Sequence, residues 1–261
     1  MREFLDATKR FSDRVNDYIR YRPDYPVHLI QELKQQCGLT PASVVADIGS
    51  GTGLLTRQFL CNKNKVYGVE PNAEMRQAAE TLLSAFGTFI SIDGTAEATG
   101  LPPNSVDFIT AGQAFHWFDM PKACAEFSRI IRPAGVVVLV WNDRETEETP
   151  FLRAYEELLK TYCPDYLSIR RRYIDQERLH QIFGHTGYRT ATFANEQVFD
   201  FDGLEGRLLS ASYAPRGGHP NHEAMMRALA GLFREHEQEG SIRFLYTTRM
   251  VFGRVATGEG E

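Results

Sequence analysis

The chain has 261 residues, of which 43% are hydrophobic and 24% are charged, and its formal net charge is -5 at pH 7. These proportions are typical of a globular protein, and the length suits one α/β domain with room for insertions. The mild negative charge argues against nucleic acids and anionic membranes as partners. Because no signal peptide and no apolar segment of bilayer length is visible, we expect a cytoplasmic protein.

Strand-like and helix-like segments alternate over the first 142 residues, which is typical of βαβ units and a mostly parallel sheet. Strands are predicted near 43–48, 65–70, 87–92, 105–111 and 135–141, and helices near 53–62, 72–85 and 118–131. Asn72 is predicted to cap the second helix, and Pro133 with Gly135 to end the third. An open parallel sheet binds ligands beyond the carboxyl ends of its strands, so the candidate site lies there.

After Trp141 the alternation stops. The remaining predicted elements are two helix-like stretches around 150–162 and 175–184, strands at 189–201 and 241–255, and a polar helix near 222–238. We expect one domain over residues 1–261. Its predicted parts are a core of about 40–142 plus 189–256, a ligand-covering segment at 1–39, and a helical cap inserted at about 143–187, to which 203–239 also contributes.

A glycine turn follows the first predicted strand, in the decamer VVADIGSGTG from Val44 to Gly53. Glycines at 49, 51 and 53 permit positive φ angles and the close approach of a ligand. A dinucleotide fingerprint needs glycine where Leu54 stands, and the Gly-Lys-Ser/Thr of a P-loop is absent. The turn therefore favours neither phosphate-binding motif, and other Rossmann-like cofactor sites remain open.

Acidic residues follow the next two predicted strands. Glu70 lies about 20 residues past the turn, where a carboxylate can accept hydrogen bonds from both ribose hydroxyls of a nucleoside. A helix-capping role for Glu70 stays open. Asp93 and Glu97 lie in a polar loop that can clamp an adenine edge, and an ordinary Asx-type turn is the alternative.

Aromatic residues around His116 follow the fourth predicted strand, at the edge of the sheet where a ligand is expected. His116 is the candidate general base, because only histidine has an unperturbed pKa suited to proton abstraction near neutrality. A structural histidine hydrogen-bonded under the cofactor is the alternative. Trp141 and Asn142, at the predicted end of the fifth strand, are expected to face the same substrate-binding region as His116.

Two further groups of residues have side chains of types that bind ligands or metals. The arginines of the cap can read a carboxylate or phosphate, although a solvated helix face is favoured for them; they are Arg153, Arg170, Arg171, Arg172 and Arg178. The cysteines show no Cys-x-x-Cys spacing, and the histidines at 219, 222 and 236 have no carboxylate at ligand spacing. We therefore expect no metal site and no disulfide framework.

Four consecutive segments resemble the type 11 group of the class I S-adenosylmethionine-dependent methyltransferases, over about residues 40–142. They are VVADIGSGTGLLTRQF, VYGVEPNAEM, DGTAEATGLPPNSVDFITAGQAFHWFD and FSRIIRPAGVVVLVWN. The group includes ubiquinone/menaquinone-biosynthesis-like and trans-aconitate-methyltransferase-like enzymes. The resemblance implies a Rossmann-like, seven-stranded, mostly parallel sheet with helices on both faces and the last strand antiparallel. It places S-adenosylmethionine over the ends of the first four strands.

The resemblance also implies a role for individual residues. Those expected around the methionine moiety and its sulfonium are Asp47, Gly49, Ser50, Gly51, Thr52, Gly53, Gln113 and Ala114. Those expected around the ribose and adenine are Glu70, Pro71, Met75, Asp93, Thr95, Ala96 and Glu97. Residues expected to bind the acceptor are Tyr25, His116, Trp117 and Trp141.

The segment YIRYRPDYP, which begins at Tyr18, resembles the RPxYP lead-in of the trans-aconitate-like subgroup. Arg22 is a natural partner for the methionine carboxylate, because a guanidinium can bind both oxygens. Tyr18, Tyr21 and Tyr25 can close over the cofactor. A helix end whose aromatic side chains pack on the core is the alternative.

The predicted function is methyl transfer from S-adenosylmethionine to a small-molecule acceptor, with S-adenosylhomocysteine as product and O-methylation of a carboxylate or hydroxyl favoured. The alternatives are a catalytically silent S-adenosylmethionine-binding regulator and a nicotinamide-dependent oxidoreductase. The acidic balance and the absence of an Asn/Asp-Pro-Pro-Tyr/Phe run argue against a nucleic-acid methyltransferase. We expect a monomer or homodimer that binds neither nucleic acid nor membrane.

Overall fold

The fold is built on one seven-stranded sheet in a computed structural model that describes residues 20–167, 176–184 and 187–255. The strands are β1 Val44–Ile48, β2 Lys65–Val69, β3 Phe89–Ile92, β4 Val106–Gly112, β5 Ile131–Arg144, β6 Arg189–Phe199 and β7 Ile242–Gly253. Their order is β3-β2-β1-β4-β5-β7-β6. The first five strands are parallel, and β7 is antiparallel to both β5 and β6. The predicted seven-stranded sheet with its antiparallel last strand is confirmed.

Helices flank the sheet on both faces, also as predicted. They are α1 His28–Cys37, α2 Leu54–Cys61, α3 Ala73–Leu82, α4 Met120–Ile130, α5 Pro150–Tyr162, α6 Gln176–Phe183, α7 Phe201–Leu209 and α8 His222–His236. Asn72 caps α3 by accepting a hydrogen bond from the Met75 N–H at 2.9 Å, which confirms the predicted cap. Helices α1 and α7 were not among the predicted elements. None of the helices within the described ranges has both the length and the apolar character needed to span a bilayer.

The start of β5 differs from the prediction. Helix α4 ends at Ile130, and Pro133 and Gly135 lie inside the strand, which begins at Ile131. A proline disfavours helical geometry in the residue before it, so the chain must leave the helix before Arg132. The helix therefore ends close to the predicted residue, whereas the strand begins earlier than expected.

Alternate residues of the central strands pack into two cores, one on each face. On β5, Val137 and Leu139 face the core formed with α4 and α6, whereas Val138 and Val140 face the core formed with α1 and α2. This division follows from the two-residue repeat of a strand, whose successive side chains point to opposite faces. A strand covered on both faces is hydrophobic at nearly every position, as residues 136–141 of β5 are.

A third apolar cluster, here called the cap cluster, joins α5, α7 and α8 to the outer parts of β6 and β7. Leu159, Leu208, Leu229 and Phe244 are fully buried members of it. Helix α6 falls inside the predicted insertion at 143–187. It packs on the core shared with α4, through Leu179, Ile182 and Phe183, and not on the cap cluster. The division of the chain into core and cap remains a prediction.

Replacing Phe127 with alanine should lower the free energy of unfolding by about 3 to 5 kcal/mol, because the fully buried ring leaves a cavity in the core. Val198 in β6 is 57% exposed, so Val198→Ala should change it by less than about 0.5 kcal/mol. Urea denaturation measures both variants. Equal losses in the two would contradict this assignment of the core.

Candidate functional site

A cavity of about 230 Å³ lies beyond the carboxyl ends of β1, β2 and β4. The strand order reverses between β1 and β4, and this is the point at which open α/β sheets bind ligands. Its lining residues are Gly49, Gly51, Glu70, Pro71, Asn72, Met75, Thr95, Ala96, Glu97, Gly112, Gln113, Ala114, Trp117 and Phe118. Asn72, Gly112 and Phe118 were not predicted to bind a ligand, although all three lie within the motifs that carried the resemblance.

The turn after β1 approaches the end of β4 too closely for a side chain. Gly49, Gly51 and Gly53 have φ angles of 66°, 57° and 87°, so all three adopt the left-handed conformation. A Cβ atom on Gly49 would lie 2.6 Å from the Cβ of Ala114. The glycines at 49 and 51 therefore present bare backbone to the cavity. Gly53, which immediately precedes α2, packs on the Leu83 side chain instead.

Glu70 connects the glycine turn to the start of α3. One carboxylate oxygen accepts a hydrogen bond from the Gly51 N–H, and the other accepts one from the Asn72 N–H, each at 2.9 Å. Burial raises the pKa of Glu70, and these two hydrogen bonds oppose the rise. The bond to the Asn72 N–H is the contact expected if Glu70 caps the helix that follows, and Glu70 also lines the cavity. Its ribose-binding role remains a prediction.

Asp47 supports the turn from inside the protein and does not line the cavity. Its carboxylate accepts hydrogen bonds from the Thr56 hydroxyl at 2.6 Å and the Thr110 hydroxyl at 2.8 Å, which connects β1 to α2 and β4. Only 1% of Asp47 is exposed, and burial raises its pKa to about 6. Asp47 was expected to contact the methionine moiety, but its side chain lies behind the residues that form the cavity surface.

Several other predicted cofactor residues lie away from the cavity lining. Ser50 and Thr52 belong to the turn but are absent from the wall, and Thr52 is buried. Asp93 is largely exposed and forms an ion pair with Arg76 at 3.1 Å. Their roles as ligand contacts stay predictions.

The N-terminal lead-in reaches the cap and the sheet. Arg22 donates a hydrogen bond from Nη2 to the Ser210 carbonyl at 2.9 Å, and Arg22 is not part of the cavity lining. Tyr25 is buried, and its hydroxyl would lie 2.6 Å from a Cβ placed on Gly112, which does line the cavity. Tyr18 lies outside the described residues. The binding roles predicted for these residues remain predictions.

The predicted acceptor residues are divided between the cavity and the core. Trp117 lines the cavity, and the His116 ring packs against it with centroids 4.7 Å apart, but His116 itself is not in the lining. Trp141 is 1% exposed and packs on the Phe115 ring in the core. The prediction that Trp141 ends the fifth strand was wrong, because β5 continues to Arg144 and keeps the indole inside the protein.

Two side chains hold the aromatic loop after β4 in place. Arg178 of α6 donates hydrogen bonds from Nη2 to the carbonyls of Phe115 and Phe118, at 2.9 and 2.8 Å. Glu97 accepts a hydrogen bond from the Asp119 N–H at 2.8 Å, which connects the loop after β3 to the same segment. The solvated-face interpretation is therefore wrong for Arg178. Arg170, Arg171 and Arg172 lie outside the described residues.

Over residues 20–167, 176–184 and 187–255, no three His, Cys, Asp or Glu side chains cluster closely enough to hold an ion. The four cysteines, Cys37, Cys61, Cys124 and Cys163, are free thiols.

A mostly parallel sheet, a glycine turn in the left-handed conformation and a carboxylate at the end of β2 are together typical of Rossmann-like proteins that bind a nucleoside-containing cofactor. Residues 46–139 match the model of a family described as a methyltransferase domain. An uncharacterized methyltransferase of Mycobacterium bovis is 36% identical over 156 residues, which cover 59% of this chain and 60% of the relative. One from Schizosaccharomyces pombe is 26% identical over 78% of each chain.

Two solved structures share the fold. A protein of Anaeromyxobacter dehalogenans, described as a candidate type II methyltransferase, superposes with a TM-score of 0.64 at 24% identity over 90% of this chain and 98% of its own. A methyltransferase of Geobacter sulfurreducens, crystallised with S-adenosylhomocysteine, has a TM-score of 0.54 at 16% identity over 96% and 99%. Residues 46–139 are therefore similar to a methyltransferase domain, and the chain shares the fold of these S-adenosylmethionine-dependent methyltransferases. Its match spans only about 60% of the mycobacterial relative's length.

Gly49→Ala should lower the free energy of unfolding by at least about 1 kcal/mol and weaken S-adenosylhomocysteine binding, because the added methyl meets Ala114 at a positive φ. Gly87→Ala is the matched control, since a Cβ there has no heavy atom within 4 Å. Urea denaturation and titration calorimetry measure both effects. An affinity for S-adenosylhomocysteine that Gly49→Ala leaves intact would contradict the proposed close approach.

Asp47 should make the protein less stable as pH rises from about 4 to about 6. Its folded pKa of about 6 exceeds the ordinary value of 3.8, so the folded state holds a proton that the unfolded state releases. The free energy of unfolding should fall by about 3 kcal/mol across this window and level off above it. Urea denaturation at several pH values, compared with Asp47→Asn, isolates the contribution. Parallel pH profiles for the two proteins would refute it.

Proposed function

We propose that the protein transfers a methyl group from S-adenosylmethionine to a small-molecule acceptor. One observation carries the proposal: the cavity beyond β1 and β4 has bare glycine backbone on one side and a buried carboxylate, Glu70, on another. This arrangement suits a ligand with an amino-acid tail and a ribose. A pyrophosphate-containing dinucleotide is disfavoured by Leu54, which stands where its fingerprint requires glycine.

The lining residues fit the three parts of S-adenosylmethionine. The backbone at Gly49 and Gly51 would receive the methionine portion, and Glu70 would hold the ribose hydroxyls. Met75 and Ala96 offer apolar surface to the adenine ring. When bound, S-adenosylmethionine supplies an electrophilic methyl group on a sulfonium, whose positive charge is lost as the methyl passes to a nucleophile.

The contribution of the chain is chiefly to position the reactants and exclude water. Trp117 and Phe118 form an aromatic wall of the cavity, and aromatic faces stabilise a nearby cation. Arg178 holds this wall in place through the Phe115 and Phe118 carbonyls. Positioning of this kind requires no general base when the accepting atom is already deprotonated at neutral pH.

The acceptor proposed is a small molecule methylated on oxygen, at a carboxylate or a hydroxyl. A carboxylate is ionised at neutral pH and needs no base, whereas a hydroxyl must lose its proton. His116 is the candidate base for a hydroxyl acceptor, and its ring lies against Trp117 at the cavity wall. The net charge of -5 disfavours a polyanionic acceptor.

The proposal predicts one-to-one binding of S-adenosylhomocysteine, measured by titration calorimetry. Glu70→Ala should weaken that binding at least about tenfold, because the variant loses the carboxylate of the cavity wall and its hold on the Gly51 N–H. Glu80→Ala removes an exposed carboxylate of the neighbouring helix and should leave the affinity unchanged. An unchanged affinity of Glu70→Ala for S-adenosylhomocysteine would contradict the assignment of this cavity as the cofactor site.

Two alternatives make different predictions in the same assays. A nicotinamide-dependent oxidoreductase would show a thermal shift with NAD and none with S-adenosylhomocysteine. A catalytically silent regulator would bind S-adenosylhomocysteine tightly yet transfer no methyl group to any member of a broad panel of acids and alcohols.

A further inference from the structure

A buried arginine lies in the cap cluster without a carboxylate partner. Arg207 of α7 is 6% exposed. Its Nε donates a hydrogen bond to the Tyr246 hydroxyl at 3.0 Å, and this is the only hydrogen bond made by its guanidinium within the part of the chain that the structure describes. No carboxylate of those residues lies within ion-pair distance of it. Because burying an unpaired charge costs several kcal/mol, Arg207 stands out as a candidate ligand site.

The surroundings of Arg207 are aromatic and largely neutral. Its guanidinium carbon lies 5.9 Å from the ring centroids of both Phe244 and Tyr246. Tyr155 and Tyr213 lie close enough to interact with it electrostatically. Aromatic faces stabilise a cation but do not neutralise it. The Tyr246 hydroxyl donates to Gln197 at 3.0 Å, so it accepts from Arg207 with its own proton already committed.

A second buried arginine in the cap cluster provides the contrast. Arg144 donates from Nη2 to the Glu156 carboxylate at 2.5 Å and to the Tyr166 hydroxyl at 3.0 Å. The side chains of Arg144 and Glu156 are 10% and 2% exposed, so this ion pair supplies the partner that charges largely removed from water require. Arg207 lies among the same tyrosines and has no such partner. The two terminal nitrogens of its guanidinium remain able to bind an anion.

The position of Arg207 relates it to the cofactor cavity. Tyr246, its hydrogen-bond partner, pairs with Arg144 across β7 and β5. Two residues earlier on β5, the Asn142 carbonyl accepts a hydrogen bond from Nε2 of Gln113, which lines the cavity. Two strand residues span about 7 Å. Arg207 therefore packs on the part of β7 that extends beyond the carboxyl end of β4, which is the edge of the sheet that holds the cavity.

We propose that Arg207 binds a carboxylate of the methyl acceptor, an inference that rests on the proposed function. The terminal nitrogens of a guanidinium can donate two parallel hydrogen bonds to a carboxylate. The low dielectric of the buried, aromatic surroundings strengthens such a pair. The acceptor is then a small carboxylic acid whose body lies among the rings of the cap cluster, and the carboxylate supplies the counter-charge that the chain lacks.

Binding of simple acids to the protein saturated with S-adenosylhomocysteine tests this proposal. The probes are benzoate and acetate, each compared with its neutral amide, benzamide or acetamide, at constant ionic strength and by titration calorimetry. At least one acid should bind tenfold or more tightly than its amide. Arg207→Met should abolish that preference. Arg243→Met removes an exposed arginine of β7 and should retain it.

Two further measurements keep the outcomes distinct. S-adenosylhomocysteine affinity is determined first for each protein: failure of the wild type to bind it overturns the proposed function itself. Normal affinity for S-adenosylhomocysteine without any preference for acid over amide, or a preference that survives Arg207→Met, overturns only the role of Arg207.

Without acid, Arg207→Met should unfold at the same temperature as the wild type or higher, whereas loss of a purely structural arginine would lower the unfolding temperature. Arg207→Lys, which keeps the charge but not the paired donors, should bind the acid at least threefold more weakly.

Discussion

The close approach between the turn after β1 and the end of β4 is the constraint on which the site depends. Gly49 reaches Ala114 at a distance that excludes a side chain, and the turn must adopt positive φ angles to do so. Two buried carboxylates secure it. Glu70 binds the Gly51 N–H from the end of β2, and Asp47 joins β1 to neighbouring elements through two threonine hydroxyls. Burial raises the pKa of both acids, which indicates that the turn is maintained at some electrostatic cost.

The second organising feature is the length of the outer strands. Strands β5 and β7 continue past the level at which β1 and β4 end, and their extensions carry Arg144, Tyr246 and Phe244 into the cap cluster. The same two strands therefore belong to the central core at one end and to the cap at the other. This continuity places Arg207 at the same edge of the sheet as the cofactor cavity.

Much of the fold could be predicted because local patterns agree with the final packing. The βαβ alternation, the cap at Asn72 and the antiparallel last strand all depend on periodicity, capping chemistry or the family resemblance. The errors occurred where a long-range contact overrides a local signal. Pro133 and Gly135 suggest that no regular element continues through them. Both nevertheless lie inside β5, because this strand pairs with β4 and β7. The pattern of α7 was missed because its hydrophobic face is defined only by the cap cluster it meets.

The sequence by itself predicted a cofactor site at the glycine turn and Glu70, because the conformational freedom of glycine at 49 and 51 and the spacing to Glu70 can be read from the order of residues. Only the tertiary structure decided which predicted residues line the cavity and which support it from behind. Asp47 and Trp141 are adjacent to site residues in sequence, but the sheet buries both. The missing counter-charge of Arg207 was likewise invisible, because an ion pair depends on which carboxylates folding brings near a guanidinium.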